Sequence, residues 1–229
     1  MCQFSSVLPA CVLALLLNTV CVATTSAQIP PGIPVISPQS AGFDEARLKV
    51  IEEVVQEGLS QSKMPGCVVV VGCRAGVVYQ GAWGSRQTVP QQQPMELTTV
   101  FDLASLTKPI ATATSIMLLI QQGKIRVDAP AATYWPEFAQ QGKDGILIRH
   151  LLTHTAGLIA DNSINDYTGT PDESMAKIAA LKPVAAPGEQ FIYSDVGFLV
   201  LGQIVQLVSG RNVHELYRSE EHTSELQSH

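Results

Sequence analysis

The strands that the sequence predicts are too few to build a sheet that could stand alone. Cys67-Val-Val-Val-Val-Gly-Cys73 is a β-branched run, and after a short turn at residues 74–76 the segment 77–83 predicts a second strand. The pair forms an antiparallel hairpin, and we expect the β-branched run to be buried on both faces. A two-stranded hairpin is not stable by itself in water. The hairpin therefore needs further elements to cover it, and no later segment reads as a strand.

Helical patterns dominate the remainder. The apolar interior of the segment 105–122 predicts a central buried helix, although Pro109 predicts a local distortion of the backbone at Lys108. Residues 85–98, rich in glutamine and proline, predict a surface loop. One hairpin among several helices indicates an α+β fold. The predicted helices are residues 44–60, 105–122, 146–153, 173–181 and 196–208.

Composition describes a compact protein of one or two domains. The chain has 229 residues, of which 46% are hydrophobic and 15% charged, so it has the material for a packed core. The net charge is −6 and the basic residues are dispersed. No basic cluster marks a nucleic-acid surface, and nothing favours an anionic membrane as partner.

The first 27 residues predict a secretory signal. Residues 7–23 are nearly all apolar, Thr25-Ser26-Ala27 offers the small residues that a signal peptidase accepts, and prolines follow. The usual positive charge before the apolar run is missing. The alternative is an uncleaved anchor, but the run is short for a membrane span. We expect cleavage after Ala27, a secreted or periplasmic protein without stable membrane insertion, and an extended lead-in over residues 28–41.

Two of the five cysteines remain after such cleavage, Cys67 and Cys73. They bound one predicted strand, which would place them ~20 Å apart. That separation excludes a disulfide between them. We expect buried core thiols rather than a redox or metal site.

The last twelve residues, 218–229, have no apolar period and closely resemble a translated sequencing adapter. We therefore expect residues 42–217 to be the N-terminal part of a larger domain, and the natural protein to continue beyond Tyr217. The alternative is a natural disordered tail.

The residues with the clearest chemical potential are a serine and a lysine one helical turn apart. A lysine that is removed from water binds its proton less tightly and can activate a neighbouring hydroxyl for acyl transfer. Only Ser105 opens a long buried helix that could hold its lysine, Lys108, away from solvent. The alternative for Ser105 is an ordinary N-cap serine. The pattern occurs three times, as Ser60-Gln-Ser-Lys63, Ser105-Leu-Thr-Lys108 and Ser174-Met-Ala-Lys177.

Three segments, in this order, resemble a known family. They are Phe101-Asp-Leu-Ala-Ser-Leu-Thr-Lys108, His150-Leu-Leu-Thr-His-Thr-Ala-Gly-Leu158 and Pro187-Gly-Glu-Gln-Phe-Ile-Tyr-Ser-Asp195. Together they resemble the serine β-lactamase-related family of class C β-lactamases, D-Ala-D-Ala carboxypeptidases and esterases. The resemblance covers residues 42–217.

The resemblance implies the roles of four residues. Ser105 would be the acylated nucleophile, Lys108 would lower the affinity of Ser105 for its proton, and Tyr193 would be the general base or proton relay. Asp195 would bind substrate, but the family usually has asparagine there. Asparagine can donate to an amide carbonyl of a penicillin, whereas an ionised aspartate only accepts. Asp195 therefore favours an esterase or a peptidase-like hydrolase over a β-lactamase.

The implied fold is a helix-flanked antiparallel sheet plus an all-helical domain, with the site between them and no metal or organic cofactor. The family's third motif, a Lys- or His-centred triad on a strand, is absent, and His154-Thr-Ala-Gly157 resembles it only superficially. We therefore expect an incomplete sheet and an inactive chain as written. His150 and His154 have the spacing of zinc ligands, but they lack the usual glutamate and a third ligand, so structural hydrogen bonds are the better interpretation.

The predicted function is thus a secreted hydrolase that forms an acyl-enzyme on a small ester, a D-amino-acid peptide or a β-lactam. The alternative is a penicillin-sensing or peptidoglycan-binding module without turnover.

Overall fold

The computed structural model describes residues 32–219, which divide into two compact units at Phe101 and Asp102. The predicted signal sequence, residues 28–31 of the lead-in and residues 220–229 of the tail lie outside the described residues. The helices are α1 (Glu45–Ser60), α2 (Thr114–Gln121), α3 (Ile148–Leu152), α4 (Pro171–Ala180), α5 (Asp195–Ser209) and α6 (Val213–Ser219), and the strands are β1 (Gly66–Cys73), β2 (Gly76–Gln87) and β3 (Gln93–Pro94).

The hairpin unit, residues 32–101, contains α1 and the three strands. Asp44 caps α1, because its carboxylate accepts the backbone N–H groups of Ala46 and Arg47. The helix buries Leu48 and Val55. The predicted helix at residues 44–60 is therefore confirmed.

The predicted antiparallel hairpin is also confirmed, with Val69 opposite Gly81 and a register shift between Val71 and Gly72. The predicted surface loop at residues 85–98 is partly wrong, since β2 runs on to Gln87 and pairs with β3. This sheet of three strands has the order β1-β2-β3.

The expectation that β1 is buried on both faces is wrong. Val70 is 54% exposed, Cys73 is exposed and Cys67 is only partly buried. Within the described residues β1 pairs with β2 alone and forms the edge of the sheet, so the burial falls on Val77 and Val78 of β2. The two cysteines are free thiols, but they are not core thiols.

The helical unit, residues 102–219, has a continuous apolar core. Ile116 and Leu119 of α2, Ile148 of α3, and Val200 and Leu201 of α5 have no exposed surface. These side chains recur at helical spacing, which places them on one face of each helix. Packing of these faces holds the unit together.

One lysine is fully buried in this core. The Lys143 ammonium donates hydrogen bonds to the carbonyl oxygens of Gln140, Ala179 and Leu181, at 2.7, 2.8 and 2.6 Å. Two of these carbonyls lie at the end of α4, where backbone acceptors have no partner in the helix. Burial lowers the pKa of Lys143. Lys143 therefore caps α4 from inside the protein.

The segment predicted as one helix over residues 105–122 is three pieces. A 3₁₀ turn at Ala104–Leu106 is followed by a π-helical segment, Lys108–Ala113, and then by α2. Pro109 has no N–H to donate, which accounts for the distortion that the sequence predicted. The expectation of burial on all sides is wrong, because Met117 is 56% exposed.

Helices with a small antiparallel sheet make the fold α+β, as predicted. Across residues 32–219 no single helix is both long and apolar enough to cross a bilayer; α5 and α6 meet that test only as a pair, bent by 63°.

Candidate active site

Ser105 lies on a tight turn. The preceding residue, Ala104, has a φ of +43°, which is unusual for a residue with a side chain. The Asp102 carboxylate stabilises the turn by accepting the Ala104 N–H at 2.8 Å, and the Leu106 N–H bonds to the Leu103 carbonyl. Ser105 is exposed at this turn, not within a buried helix as predicted.

Lys108 lies one turn further, at the start of the π-helical segment. Its Nζ donates to Ser105 Oγ at 3.0 Å. It also lies 2.6 Å from Asp195 Oδ1, and only 14% of the lysine side chain is exposed. This contact is an ion pair.

Two opposing effects act on the pKa of Lys108. Desolvation lowers its pKa, but the hydrogen bonds and charges of Asp195 and Tyr193 outweigh desolvation, so the pKa of Lys108 is raised. Desolvation alone would favour a neutral lysine, but the carboxylate beside Lys108 opposes this. A carboxylate at 2.6 Å favours the ammonium form.

The loop that carries Tyr193 is fixed by backbone hydrogen bonds to the segment after α3. The N–H groups of Val184, Gly188 and Ile192 donate to the carbonyls of Gly157, Thr155 and His154, at 2.8, 2.7 and 2.8 Å. Gly157 is required here, because its φ is +71° and a Cβ would lie 2.0 Å from the Ala185 oxygen.

Tyr193 is 47% exposed and reaches both other site residues. Hydrogen bonds from Ser105 and Lys108, together with the lysine charge, lower the pKa of Tyr193. Lys108 Nζ also lies 5.0 Å from the centre of the phenol ring. Tyr193 thus lines a cavity from its loop.

His154 supports the phenol ring from behind, a contact that the sequence did not reveal. Its ring stacks on Tyr193 at 4.4 Å between centroids and packs on Phe198 at 5.1 Å. His154 Nδ1 accepts the Ser194 N–H at 3.0 Å, which requires that this nitrogen carry no proton. Burial and the Lys108 charge lower the pKa of His154. A neutral imidazole therefore holds Tyr193 in place.

Ser194 is the N-cap of α5 and is the other residue that the sequence analysis missed. Its Oγ accepts the Gly197 N–H at 3.1 Å and donates to the Ile159 carbonyl at 2.6 Å. A serine just before an apolar helical run is a typical N-cap signal, so it could have been found. The cap positions its neighbours on both sides, Tyr193 and Asp195.

The four predicted residues come together, but they line two different cavities. Ser105, Lys108 and Tyr193 share a mainly apolar cavity of about 520 Å³ with His154 and Phe198. Asp195 contacts Lys108 from the other side. It lines a separate cavity of about 390 Å³, whose other polar residues include Asp161, Tyr167, Thr107 and Thr112.

The other two Ser-x-x-Lys patterns form no comparable pair. Ser60 Oγ donates to the Glu57 carbonyl, and Ser174 Oγ donates to the Thr170 carbonyl. These hydroxyls serve the local helices. Their rejection on sequence grounds is confirmed.

The two histidines make the structural hydrogen bonds that were expected of them. His150 Nδ1 accepts the Leu147 N–H at 3.2 Å, as His154 does with Ser194. Among residues 32–219 no three histidine, cysteine or acidic side chains gather as a metal site would require.

Ser105 and Lys108 lie one turn apart and share a cavity with Tyr193 from a later loop. The family model Beta-lactamase matches residues 51–223, and the chain belongs to this family. The predicted β-lactamase-related fold is thereby confirmed.

Relatives and solved structures are consistent with this family. The chain is 30% identical over 207 residues to a candidate D-alanyl-D-alanine carboxypeptidase of Escherichia coli (strain K12), covering 82% of this chain and 48% of the relative. It is 30% identical over 196 residues to Esterase EstB of Burkholderia gladioli, covering 77% and 49%. EstCE1, described as a hydrolase with promiscuous acyltransferase activity, superposes with a TM-score of 0.66 at 28% identity, covering 75% and 49%. The chain thus spans about half the length of the curated relatives it matches.

Proposed function

We propose that the complete protein is a serine hydrolase that forms an acyl-enzyme at Ser105. The observation that carries this proposal is the convergence of three groups. Lys108 Nζ lies 3.0 Å from Ser105 Oγ and 5.0 Å from the centre of the Tyr193 ring, and all three residues line one cavity. A hydroxyl of ordinary acidity is a weak nucleophile, and an adjacent base is what activates it.

Acylation begins with proton transfer. Tyr193 in its phenolate form removes the proton from Ser105 Oγ, and Oγ attacks the substrate carbonyl carbon. The Lys108 ammonium stabilises the negative charge that moves from the phenolate to the attacking oxygen. As the tetrahedral intermediate collapses, the bond to the leaving group breaks and Tyr193 returns its proton to that group.

Deacylation reverses these roles. Tyr193 takes a proton from a water molecule, the water oxygen attacks the ester carbonyl at Ser105, and the Oγ–carbonyl bond breaks. The proton passes back to Ser105, and the carboxylic acid leaves. No residue is consumed, so each cycle hydrolyses one substrate molecule.

We propose an ester or a D-amino-acid peptide as substrate, in preference to a β-lactam. The cavity beside Ser105 is lined largely by Leu103, Leu106, Pro109, Leu152 and Phe198, which suits an apolar acyl group. Asp195 pairs with Lys108 and, as a carboxylate, has no N–H to donate to the amide of a β-lactam side chain. The names of the matched relatives, an esterase and a candidate carboxypeptidase, support the same two substrate classes.

Secretion is part of the proposal and rests on the apolar run at residues 7–23. Fractionation of cells that express the source gene, followed by N-terminal sequencing of the product, tests it. We expect a mature protein that begins at Gln28. A cytoplasmic product that retains Met1 would contradict secretion without affecting the catalytic proposal.

Turnover of a chromogenic ester by the protein expressed from its complete gene tests the hydrolase directly. We expect steady-state hydrolysis that Ser105→Ala abolishes. A stoichiometric burst followed by no turnover would favour a penicillin-sensing protein. No reaction, with unchanged peptidoglycan binding in Ser105→Ala, would favour a binding module. The 229-residue chain, assayed in parallel, is predicted to be inactive.

A further inference from the structure

We propose that Asp195 is a positioning residue that keeps the Lys108 amine protonated and directed at Ser105, so that Tyr193 removes the Ser105 proton. This inference rests on the proposed function. It assigns Asp195 a task within the catalytic machinery in place of the substrate contact that the sequence predicted.

The geometry of Lys108 is the basis of this assignment. Its Nζ lies between two oxygens, 3.0 Å from Ser105 Oγ and 2.6 Å from Asp195 Oδ1. Lys108 and its partner Asp195 are both held by helical segments. Lys108 begins the π-helical segment, and Asp195 begins α5, where its N–H donates to the Ala160 carbonyl at 2.8 Å. The amine therefore has a fixed direction.

The surroundings of Lys108 explain why a charged partner matters. The lysine side chain is 14% exposed, and a charge withdrawn from water favours its neutral form unless a countercharge compensates. Three titratable groups influence this amine: Asp195, Tyr193 and His154. His154 is held neutral by its Nδ1 contact, and Tyr193 is neutral until it loses its proton. Asp195 is therefore the permanent countercharge.

An asparagine at position 195 could accept a hydrogen bond from Lys108 but would carry no charge. The difference between the two side chains is thus electrostatic and not steric. Asp195 lines a cavity that Ser105 does not line, although Lys108 lines both cavities, so Asp195 compensates the lysine from a different side than Ser105. Placement on the opposite side of the lysine avoids repulsion of the negative charge that develops during acylation.

The test is the pH dependence of Ser105 modification by a fluorophosphonate ester, measured as a second-order rate in the complete protein. Asp195→Asn should move the alkaline limb of the profile to lower pH, since Lys108 loses its proton more easily. We expect the ratio of the rate at pH 9 to that at pH 7 to fall about tenfold. Asp161→Asn is the matched control, because Asp161 lines the same cavity as Asp195, and its profile should match the parent.

A second measurement does not depend on whether Asp195→Asn folds. NMR of the parent labelled with ¹⁵N at lysine Nζ, assigned by Lys108→Arg, should show Lys108 as an ammonium throughout neutral pH. A Lys108 resonance that titrates below pH 8 would overturn the inference. So would an Asp195→Asn profile that keeps its limbs and only loses amplitude, since that is the signature of a structural role. A parent that reacts at no pH contradicts the proposed function itself, and the inference with it.

Discussion

The two units of the chain differ in how completely they bury their apolar residues. The hairpin unit has four buried hydrophobic side chains among its described residues, whereas the helical unit has nineteen in one cluster. Ser105, Lys108, Tyr193 and Asp195 all belong to the helical unit. Catalytic groups need rigid support to hold their geometry. The residues that we propose to be catalytic therefore lie in the same unit as the larger apolar core.

The largest expected effect separates the two units by function. Ser105→Ala removes the nucleophile and should lower ester turnover by at least about 10³-fold. Ser60→Ala is the matched control, because Ser60 has the same Ser-x-x-Lys pattern in the hairpin unit but donates only to Glu57. Its turnover should equal that of the parent. A comparable loss in both variants would break the comparison.

The next effect concerns stability. Leu201→Ala removes a side chain with no exposed surface from the helical core and should cost ~2–5 kcal/mol of unfolding free energy. Val70→Ala truncates a strand residue that is 54% exposed and should cost less than ~1 kcal/mol. Chemical denaturation of both variants, monitored by hydrogen exchange, measures the difference between their unfolding free energies. Equal costs would show that the hairpin unit is as tightly packed as the helical unit.

A smaller effect distinguishes two helix caps. Asp44→Ala and Ser194→Ala each remove an N-cap and should each cost ~1 kcal/mol of stability. Only Ser194→Ala should also lower turnover, because Ser194 lies between Tyr193 and Asp195 and its Oγ bonds to Gly197 N–H and the Ile159 carbonyl. Thermal melts measure the stability of each variant, and the ester assay on the same preparations measures its turnover. An active Ser194→Ala protein would show that the cap does not position the site.

The smallest effect is a pH dependence confined to the helical unit. Burial lowers the pKa of His150 and of His154, so the unfolded chain binds protons more readily than the folded chain. Their contribution to stability is present above the unfolded value of about 6.5 and is lost as the pH falls below it. Residues 32–101 contain no histidine. Hydrogen exchange at pH 7 and pH 5.5 should therefore show faster opening of α3 and α5 with little change in β2. A larger change in β2 would oppose this account.

The sequence predicted the elements better than their burial. The hairpin and α1 followed from β-branched runs and helical spacing, and the distortion at Lys108 followed from Pro109. The sequence did not predict that Val70 and Met117 are exposed. The identity of an apolar residue does not show whether another element will pack against it.

For the candidate site, the sequence likewise predicted the residues better than their contacts. Ser105, Lys108 and Tyr193 could be named from motifs, and they do converge. The ion pair between Lys108 and Asp195 joins residues 87 positions apart in the numbering, 195 minus 108, so no local pattern contains it. The stacking of His154 on Tyr193 likewise depends on how two loops pack. Charge states are set by such contacts, so a residue pattern alone does not give them.

The central claim is that Ser105 is the residue that becomes acylated. The most direct test is peptide mass spectrometry of the complete protein after brief reaction with a fluorophosphonate ester at neutral pH. We predict one adduct, on the peptide that contains Ser105, and none in Ser105→Ala. An adduct on Ser60 or Ser174, or labelling that persists in Ser105→Ala, would contradict the account.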